Sequence, residues 1–184
     1  MKTTMKTMIV ALSLALVAFG CGGFEEQAGQ DGITSQQDRV SDCGGFQIEG
    51  GNFFGGPRGY CDAEVLYWQY DADTATLHLA DARVLLNCCG DHAMEITGGD
   101  GVYIVTETDA PEDGWGRCAC MCVFDFTMEA AGVEAGVIQL RLEREVTDWE
   151  EGSGPVFEGE IDLTTGSGAI VIDETDVGPW CETQ

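Results

Sequence analysis

The chain has 184 residues and a formal net charge of −25 at pH 7, because 33 Asp and Glu residues outnumber eight Lys and Arg. Nucleic acids and anionic membrane surfaces would be repelled, since proteins bind their phosphates through Lys and Arg. Two acidic stretches, Asp71–Thr74 and Asp109–Gly114, lack the spacing of a calcium-binding loop and are expected to be turns. The charge therefore predicts an acidic, solvated surface and no nucleic-acid partner.

The N-terminal segment carries two lysines, Lys2 and Lys6, and thirteen uncharged residues follow at positions 8–20. At about 1.5 Å per residue this stretch is too short for a hydrocarbon core of about 30 Å, so it predicts a signal peptide, residues 1–20. Gly20-Cys21 resembles the lipobox of bacterial lipoproteins, although Ala18 stands where that family usually has Leu. The resemblance implies lipid on Cys21 as the contact with a membrane and, because Gly22 is not Asp, an outer-membrane or cell-surface location. Secretion without lipid is the alternative.

Residues 21–42 contain Gly, Gln, Glu, Asp and Ser with few large apolar side chains. Such a composition cannot build a core, so we expect a flexible tether after the lipidated cysteine. Residues 43–184 have the length of a single domain.

Apolar and polar residues alternate with period two over most of this domain, which indicates strands with one buried face. The predicted strands are Ala63–Tyr70, Thr76–Cys88, Ala93–Thr97, Val102–Glu107, Cys118–Met128, Val137–Glu145, Val156–Leu163 and Ala169–Asp173. Turn residues after the first and third of these predict two hairpins. The fold is therefore expected to be an all-β antiparallel sandwich or a partly open barrel, with a helix possible only at Glu129–Ala135.

Eight cysteines remain once Cys21 is assigned to lipid, and an even number outside the cytoplasm indicates a disulfide framework. They are Cys43, Cys61, Cys88, Cys89, Cys118, Cys120, Cys122 and Cys181. On a strand, the cysteines at 118, 120 and 122 would share one face, whereas neighbouring Cys88 and Cys89 would face opposite ways. We expect one of Cys88 and Cys89 to bond to this row of three, and Cys43, Cys61 or Cys181 to fix a terminus.

The alternative is a thiolate site for zinc or copper(I), or a thiol-redox centre. Its ligands would be Cys88, Cys89, His92, Cys118, Cys120 and Cys122. Cys-x-Cys spacing differs from the Cys-x2–4-Cys pairs typical of structural zinc sites, so disulfides are favoured and no metal or cofactor is expected.

The sequence Asn87-Cys-Cys-Gly90, followed by Cys118-Ala-Cys-Met-Cys122, resembles a pattern found in extracytoplasmic bacterial lipoproteins. The resemblance covers about residues 63–145. It implies a β-rich secreted domain and carries no particular activity with it.

Catalytic residues are not assigned, because the chain has only two histidines, and Ser153 and Ser167 lie between glycines, as in turns. Trp115 and Trp149 stand among turn residues and acids, which indicates exposed aromatic rings. Exposed tryptophans can contact a glycan or a protein partner. We therefore expect a non-enzymatic, lipid-anchored binding or structural protein whose ligand is unknown.

Overall fold

The computed structural model describes residues 32–44, 63–112, 116–148 and 152–174. Its strands are β1 (Ser35–Val40), β2 (Glu64–Asp71), β3 (Thr76–Asn87), β4 (Asp91–Gly99), β5 (Val102–Ala110), β6 (Met121–Ala131), β7 (Val137–Val146), β8 (Gly154–Asp162) and β9 (Ser167–Asp173). They form a five-stranded sheet of order β1-β6-β3-β2-β9 and a four-stranded sheet of order β4-β5-β7-β8. The all-β sandwich is confirmed, with one addition: β5 and β7 run parallel, so the four-stranded sheet is mixed.

The core lies between the two sheets and follows the alternation of the sequence. On β7, Ile138, Leu140 and Leu142 are buried while the residues between them face outward. All eight predicted strands are present, and β2–β3 and β4–β5 are antiparallel pairs as expected of hairpins. In the first of these turns, Asp71 Oδ1 accepts hydrogen bonds from the backbone N–H groups of Asp73 (2.9 Å) and Thr74 (3.4 Å), which confirms that turn.

Strand β1 lies where the sequence predicts a flexible tether, and this is a difference from the prediction. The strand pairs with β6 through its backbone. Its side chains Gln36 and Asp38 accept hydrogen bonds from the backbone N–H groups of Ile96 (2.9 Å) and Met94 (3.2 Å) on the edge strand β4. Because β1 is held by backbone and polar contacts, its exposed, polar sequence gives no hydrophobic pattern from which to predict it.

Three other expectations are wrong in detail. The possible helix at 129–135 is absent: β6 continues to Ala131, and the chain then turns at Gly132, whose positive φ of 87° suits glycine. β6 begins at Met121, so Cys118 and Cys120 precede it. Asp109 belongs to β5 and is buried rather than sitting in an exposed turn. At 129–131 and at Asp109 the local pattern is overruled by pairing with distant strands, whereas Cys118 and Cys120 lie beyond the last pair of the β3–β6 register.

Candidate functional site

At one end of the sandwich, the side chains that face inward change from apolar to charged. Along β5, buried Tyr103 and Val105 are followed by buried Glu107 and Asp109. Along β7, the apolar series is followed two residues later by Arg144. The opposite sheet contributes two buried acids as well. We refer to Glu64, Asp81, Glu107 and Arg144 as the Arg144 cluster.

The Arg144 cluster joins the two sheets through one guanidinium group. Arg144 Nε and Nη2 donate to Glu107 Oε2 of the neighbouring strand at 3.1 and 2.7 Å. Across the sandwich, Nη2 and Nη1 donate to Glu64 at 2.9 and 3.5 Å. Nη2 also lies 3.7 Å from Asp81 Oδ2. One cation thus serves three carboxyl groups that are almost completely buried.

Three buried carboxyl groups share one guanidinium group, so ionisation of all three would leave a net negative charge inside the protein. Burial, together with the charges of Glu107 and Glu64, raises the pKa of Asp81 well above its usual range, and Arg144 opposes this only in part. Burial also raises the pKa of Glu64. Both oxygens of Asp81, and Glu107 Oε1, have no hydrogen-bond partner among the described residues. A proton on Asp81 would supply the missing donor and remove one negative charge, so the surroundings of Asp81 favour its protonated form.

A second group of charges, which we call the Arg117 network, lies beside the first and consists of Asp109, Arg117, Asp148 and His92. Arg117 Nη1 contacts Asp109 Oδ1, and Nη2 donates to the Asp109 carbonyl at 2.9 Å. Arg117 Nε donates to both Asp148 oxygens at 3.0 and 3.1 Å, and Nη2 donates to Oδ1 at 2.5 Å. His92 Nε2 lies 3.3 Å from Asp109 Oδ1. Arg117 therefore bridges a buried carboxylate and a partly exposed one.

The contacts of Arg117 change the acidity of both of its partners. The hydrogen bond from Arg117 lowers the pKa of Asp148. Burial opposes the ionisation of Asp109, but the contacts with His92 and Arg117 outweigh it and lower the pKa of that carboxyl. Both groups are therefore carboxylates at neutral pH, which matches their role as acceptors.

Three disulfides cross-link this end of the sandwich: Cys43–Cys122, Cys88–Cys120 and Cys89–Cys118. Their Cα–Cα distances of 5.6, 5.8 and 5.4 Å are typical of such bonds. Two predictions agree with these bonds: the Cys88-Cys89 pair is joined to the Cys-x-Cys row, and Cys43 forms a disulfide near an end of the described domain. The expectation that only one of Cys88 and Cys89 reaches that row is wrong. Both lie after the end of β3, where side chains no longer alternate between two faces.

The residues on either side of Cys88-Cys89 shape the Arg117 network. Asn87 Nδ2 donates to the Cys118 carbonyl at 2.8 Å, and Asn87 Oδ1 accepts from the Cys89 N–H at 3.0 Å. Gly90 lies against the ion pair: a Cβ at this position would stand 2.5 Å from Asp109 Oδ1 and 3.0 Å from Arg117 Nη1. The Asn-Cys-Cys-Gly sequence thus places Arg117 against Asp109.

A surface pocket of about 290 Å³ opens between these two groups of charges. It is larger than two other surface cavities, of about 220 and 190 Å³, near β1. The described residues that line it are Leu85, Leu86, Asn87, Asp109, Arg117, Met121, Arg144, Val146, Asp148 and Gly152. An apolar lining with a few fixed polar groups is what small-molecule sites generally present.

Several predicted site residues lie outside the described residues: Cys21, Cys61, Trp115, Trp149 and Cys181. In the sequence, Trp149 directly follows Asp148 and Trp115 precedes Arg117 by two positions, so both candidate binding residues adjoin pocket residues along the chain.

The alternative metal ligands are found in other arrangements. The five cysteines of that set are all in disulfides, and a disulfide sulfur is not a thiolate ligand. His92 packs on Phe124, with ring centroids 4.4 Å apart, and its Nε2 faces Asp109. Within the described ranges, no group of three or more His, Cys, Asp or Glu side chains is arranged to hold a metal ion.

The pocket's charged residues were not predicted from the sequence, although a signal for some of them exists. Continuing the alternation of Ile138, Leu140 and Leu142 by one step puts Arg144 on the inner face. The same step after Leu77 and Leu79 gives Asp81. A charged residue in phase with a buried series is therefore the feature to look for.

Comparisons with protein-family models, with curated protein sequences and with solved structures find no match to this chain. In the part of the chain that the structure describes, no helix has the length and hydrophobicity needed to cross a bilayer.

Proposed function

We propose that this protein is a lipid-anchored, extracytoplasmic binding protein without catalytic activity, and that its ligand site is the pocket between Arg117 and Arg144. The observation that carries the proposal is the pocket itself. Its walls combine apolar side chains with charged groups that are already fixed by hydrogen bonds. Sites of this kind bind without large rearrangement, because the polar groups are held in place before the ligand arrives.

The disulfides support the extracytoplasmic part of the proposal. Disulfides persist in oxidising compartments and are rare in the cytosol, and a signal peptide with a lipid-accepting Cys21 would deliver the chain to such a compartment. The test is the intact mass of natively purified protein. We expect cleavage before Cys21, added acyl mass on that residue and loss of both in a Cys21→Ala variant. An unacylated secreted chain would contradict the anchor.

Binding at the pocket is tested by screening a small fragment set by NMR against the parent and two variants. Met121 lies at the pocket and is 38% exposed, so Met121→Trp should block the site. Val171 is exposed on β9, away from the pocket lining, and Val171→Trp is the matched control. We expect fragments that bind the parent to be lost in the first variant and retained in the second. Equal binding to both variants would place the site elsewhere.

The two tryptophans are tested in the same way. If Trp115 and Trp149 contribute to binding, Trp115→Ala and Trp149→Ala should each weaken fragment binding. Binding equal to the parent in both would remove them as binding residues while leaving the pocket in place.

The second candidate function is metal binding or thiol redox chemistry by the cysteines from 88 to 122. Alkylation of the native protein, followed by mass measurement with and without reduction, separates the two. We expect no alkylation at the six described cysteines before reduction and no stoichiometric metal. Several free thiols with bound zinc or copper would reverse the assignment.

A further inference from the structure

We infer that the pocket selects a small organic cation, an ammonium or guanidinium group on a short apolar body. The inference rests on the proposed function, because it names the ligand class of that same pocket. It is argued from the hydrogen bonds of the two arginines, from the charge balance around them and from the exposure of Asp148.

The pocket's arginines are engaged chiefly by protein carboxylates. Arg117 directs Nε, Nη1 and Nη2 to Asp109 or Asp148. Arg144 directs its three nitrogens to Glu64 or Glu107. A carboxylate or phosphate ligand at either guanidinium would therefore lie beside these protein carboxylates or displace one of them, and both arrangements place negative charges together.

The charge balance favours a cation. Four carboxyl groups besides Asp81, from Glu64, Glu107, Asp109 and Asp148, surround two guanidinium groups. The whole chain adds to this field with its net charge of −25. A cation approaching the pocket is therefore attracted at long range, and an anion is repelled.

Asp148 is the carboxylate that can meet the ligand. Its side chain is 40% exposed, whereas that of Asp109 is 3% exposed. Arg117 holds Asp148 from one side, and each carboxylate oxygen can accept more than one hydrogen bond. An incoming N–H donor can therefore share Asp148 with Arg117 without breaking that ion pair.

The apolar wall and the volume limit the rest of the ligand. Leu85, Leu86, Met121 and Val146 line the pocket beside these charges. A volume of about 290 Å³ lies at the lower limit for small-molecule sites. A short branched or ring-shaped hydrocarbon attached to one cationic group fits both properties.

The experiment uses three probes with the same 3-methylbutyl body and different head groups: 3-methylbutylamine, 3-methylbutanol and 4-methylpentanoate. Each is titrated into the purified, oxidised protein at neutral pH, and backbone amide shifts of Asn87, Met121 and Val146 are followed by NMR. We expect the amine to bind with a dissociation constant of about 1–10 mM, at least about fivefold tighter than the alcohol. The carboxylate should produce no shifts.

Two matched variants separate a specific contact from a diffuse acidic surface. Asp148→Asn should weaken amine binding about fivefold, because the pocket loses its exposed carboxylate. Glu145→Gln removes the same charge from an exposed position on β7 and should leave binding unchanged. Equal weakening in both variants would overturn a specific role for Asp148 and assign the effect to overall charge.

The outcomes distinguish the two proposals. If the alcohol or the carboxylate binds at these amides as well as the amine does, the ligand class is wrong and the pocket remains a binding site. If none of the probes binds there and the fragment screen also finds nothing, both the ligand class and the proposed pocket are wrong.

Discussion

Replacing Arg144 with Met should destabilise the protein strongly, and by an amount that depends on pH. The substitution keeps the length of the side chain but removes the cation that serves Glu64, Asp81 and Glu107. Breaking a buried ion pair from one side typically costs about 3–5 kcal/mol. Burial already raises the pKa of Asp81, which favours its neutral form, so the loss arises chiefly from the two glutamates.

The pH dependence arises because the two glutamates can become protonated when Arg144 is absent. A buried glutamate left without a cation can take up a proton, which at neutral pH costs about 3.4 kcal/mol for a group that ordinarily titrates at 4.5. At pH 5 the same proton costs about 0.7 kcal/mol. In the variant, the folded state therefore binds more protons than the unfolded state, so its stability rises as pH falls. The destabilisation relative to the parent should shrink from about 3–5 kcal/mol at neutral pH to about 1–2 kcal/mol near pH 5.

The assay is urea unfolding of both proteins, with disulfides oxidised, at several pH values between about 5 and 8. Arg141→Met is the matched control, because Arg141 lies on the same strand, is 42% exposed and pairs with Glu143 at the surface. We expect that variant to lose under about 1 kcal/mol, with little dependence on pH. If Arg144→Met lost no more than the control, or if its deficit grew as pH fell, the buried carboxylates would not depend on Arg144 as argued.

Three further changes test neighbouring parts of the site. Gly90→Ala should cost about 1–3 kcal/mol in urea unfolding, because its Cβ would stand 2.5 Å from a carboxylate oxygen. Gly116→Ala should not, because no atom of the described residues lies within 4 Å of its added Cβ. Cys88→Ser combined with Cys120→Ser should cost about 2 kcal/mol, because Cys89–Cys118 still closes nearly the same loop, and an unchanged unfolding midpoint would mean that this bond does not constrain the unfolded chain. In Asp81→Asn the side chain is neutral at every pH, so the stability of this variant relative to the parent should increase as pH rises above about 4. A decrease in relative stability would show that Asp81 is ionised in the folded protein.

The strands were predictable from the sequence because period-two alternation reports directly which face of a strand is buried. Pairing between strands was less accessible. Alternation says nothing about partners beyond a hairpin, so the parallel pairing of β5 with β7 and the placement of β9 beside β2 emerge only in the structure. Strand β1 was not predicted because it has little apolar alternation: backbone pairing and the side chains of Gln36 and Asp38 hold it at the edge of its sheet.

Part of the candidate site could be predicted from the sequence in the same way. The cysteines identified this end of the molecule, but their pairing depended on where β3 ends and β6 begins, and strand ends are poorly specified by alternation. The charges were missed because the inner-face alternation was not continued to Glu107 and Arg144, although both lie within the predicted strands. Asp148 and Arg117 lie outside the strands and give no periodic signal at all.

The charged end of the sandwich is not explained by stability. A buried ion pair gains little over well-packed apolar side chains, because removing charges from water costs about as much as their attraction returns. The two disulfides nearest the Arg117 network, Cys88–Cys120 and Cys89–Cys118, close nearly the same loop; the first would contribute about 3–4 kcal/mol and the second less, which can offset that cost. A domain that only needed to fold could have continued its apolar series through positions 107 and 144. This domain instead places a costly set of charges beside an open pocket and cross-links the same end. A preorganised binding site requires both features.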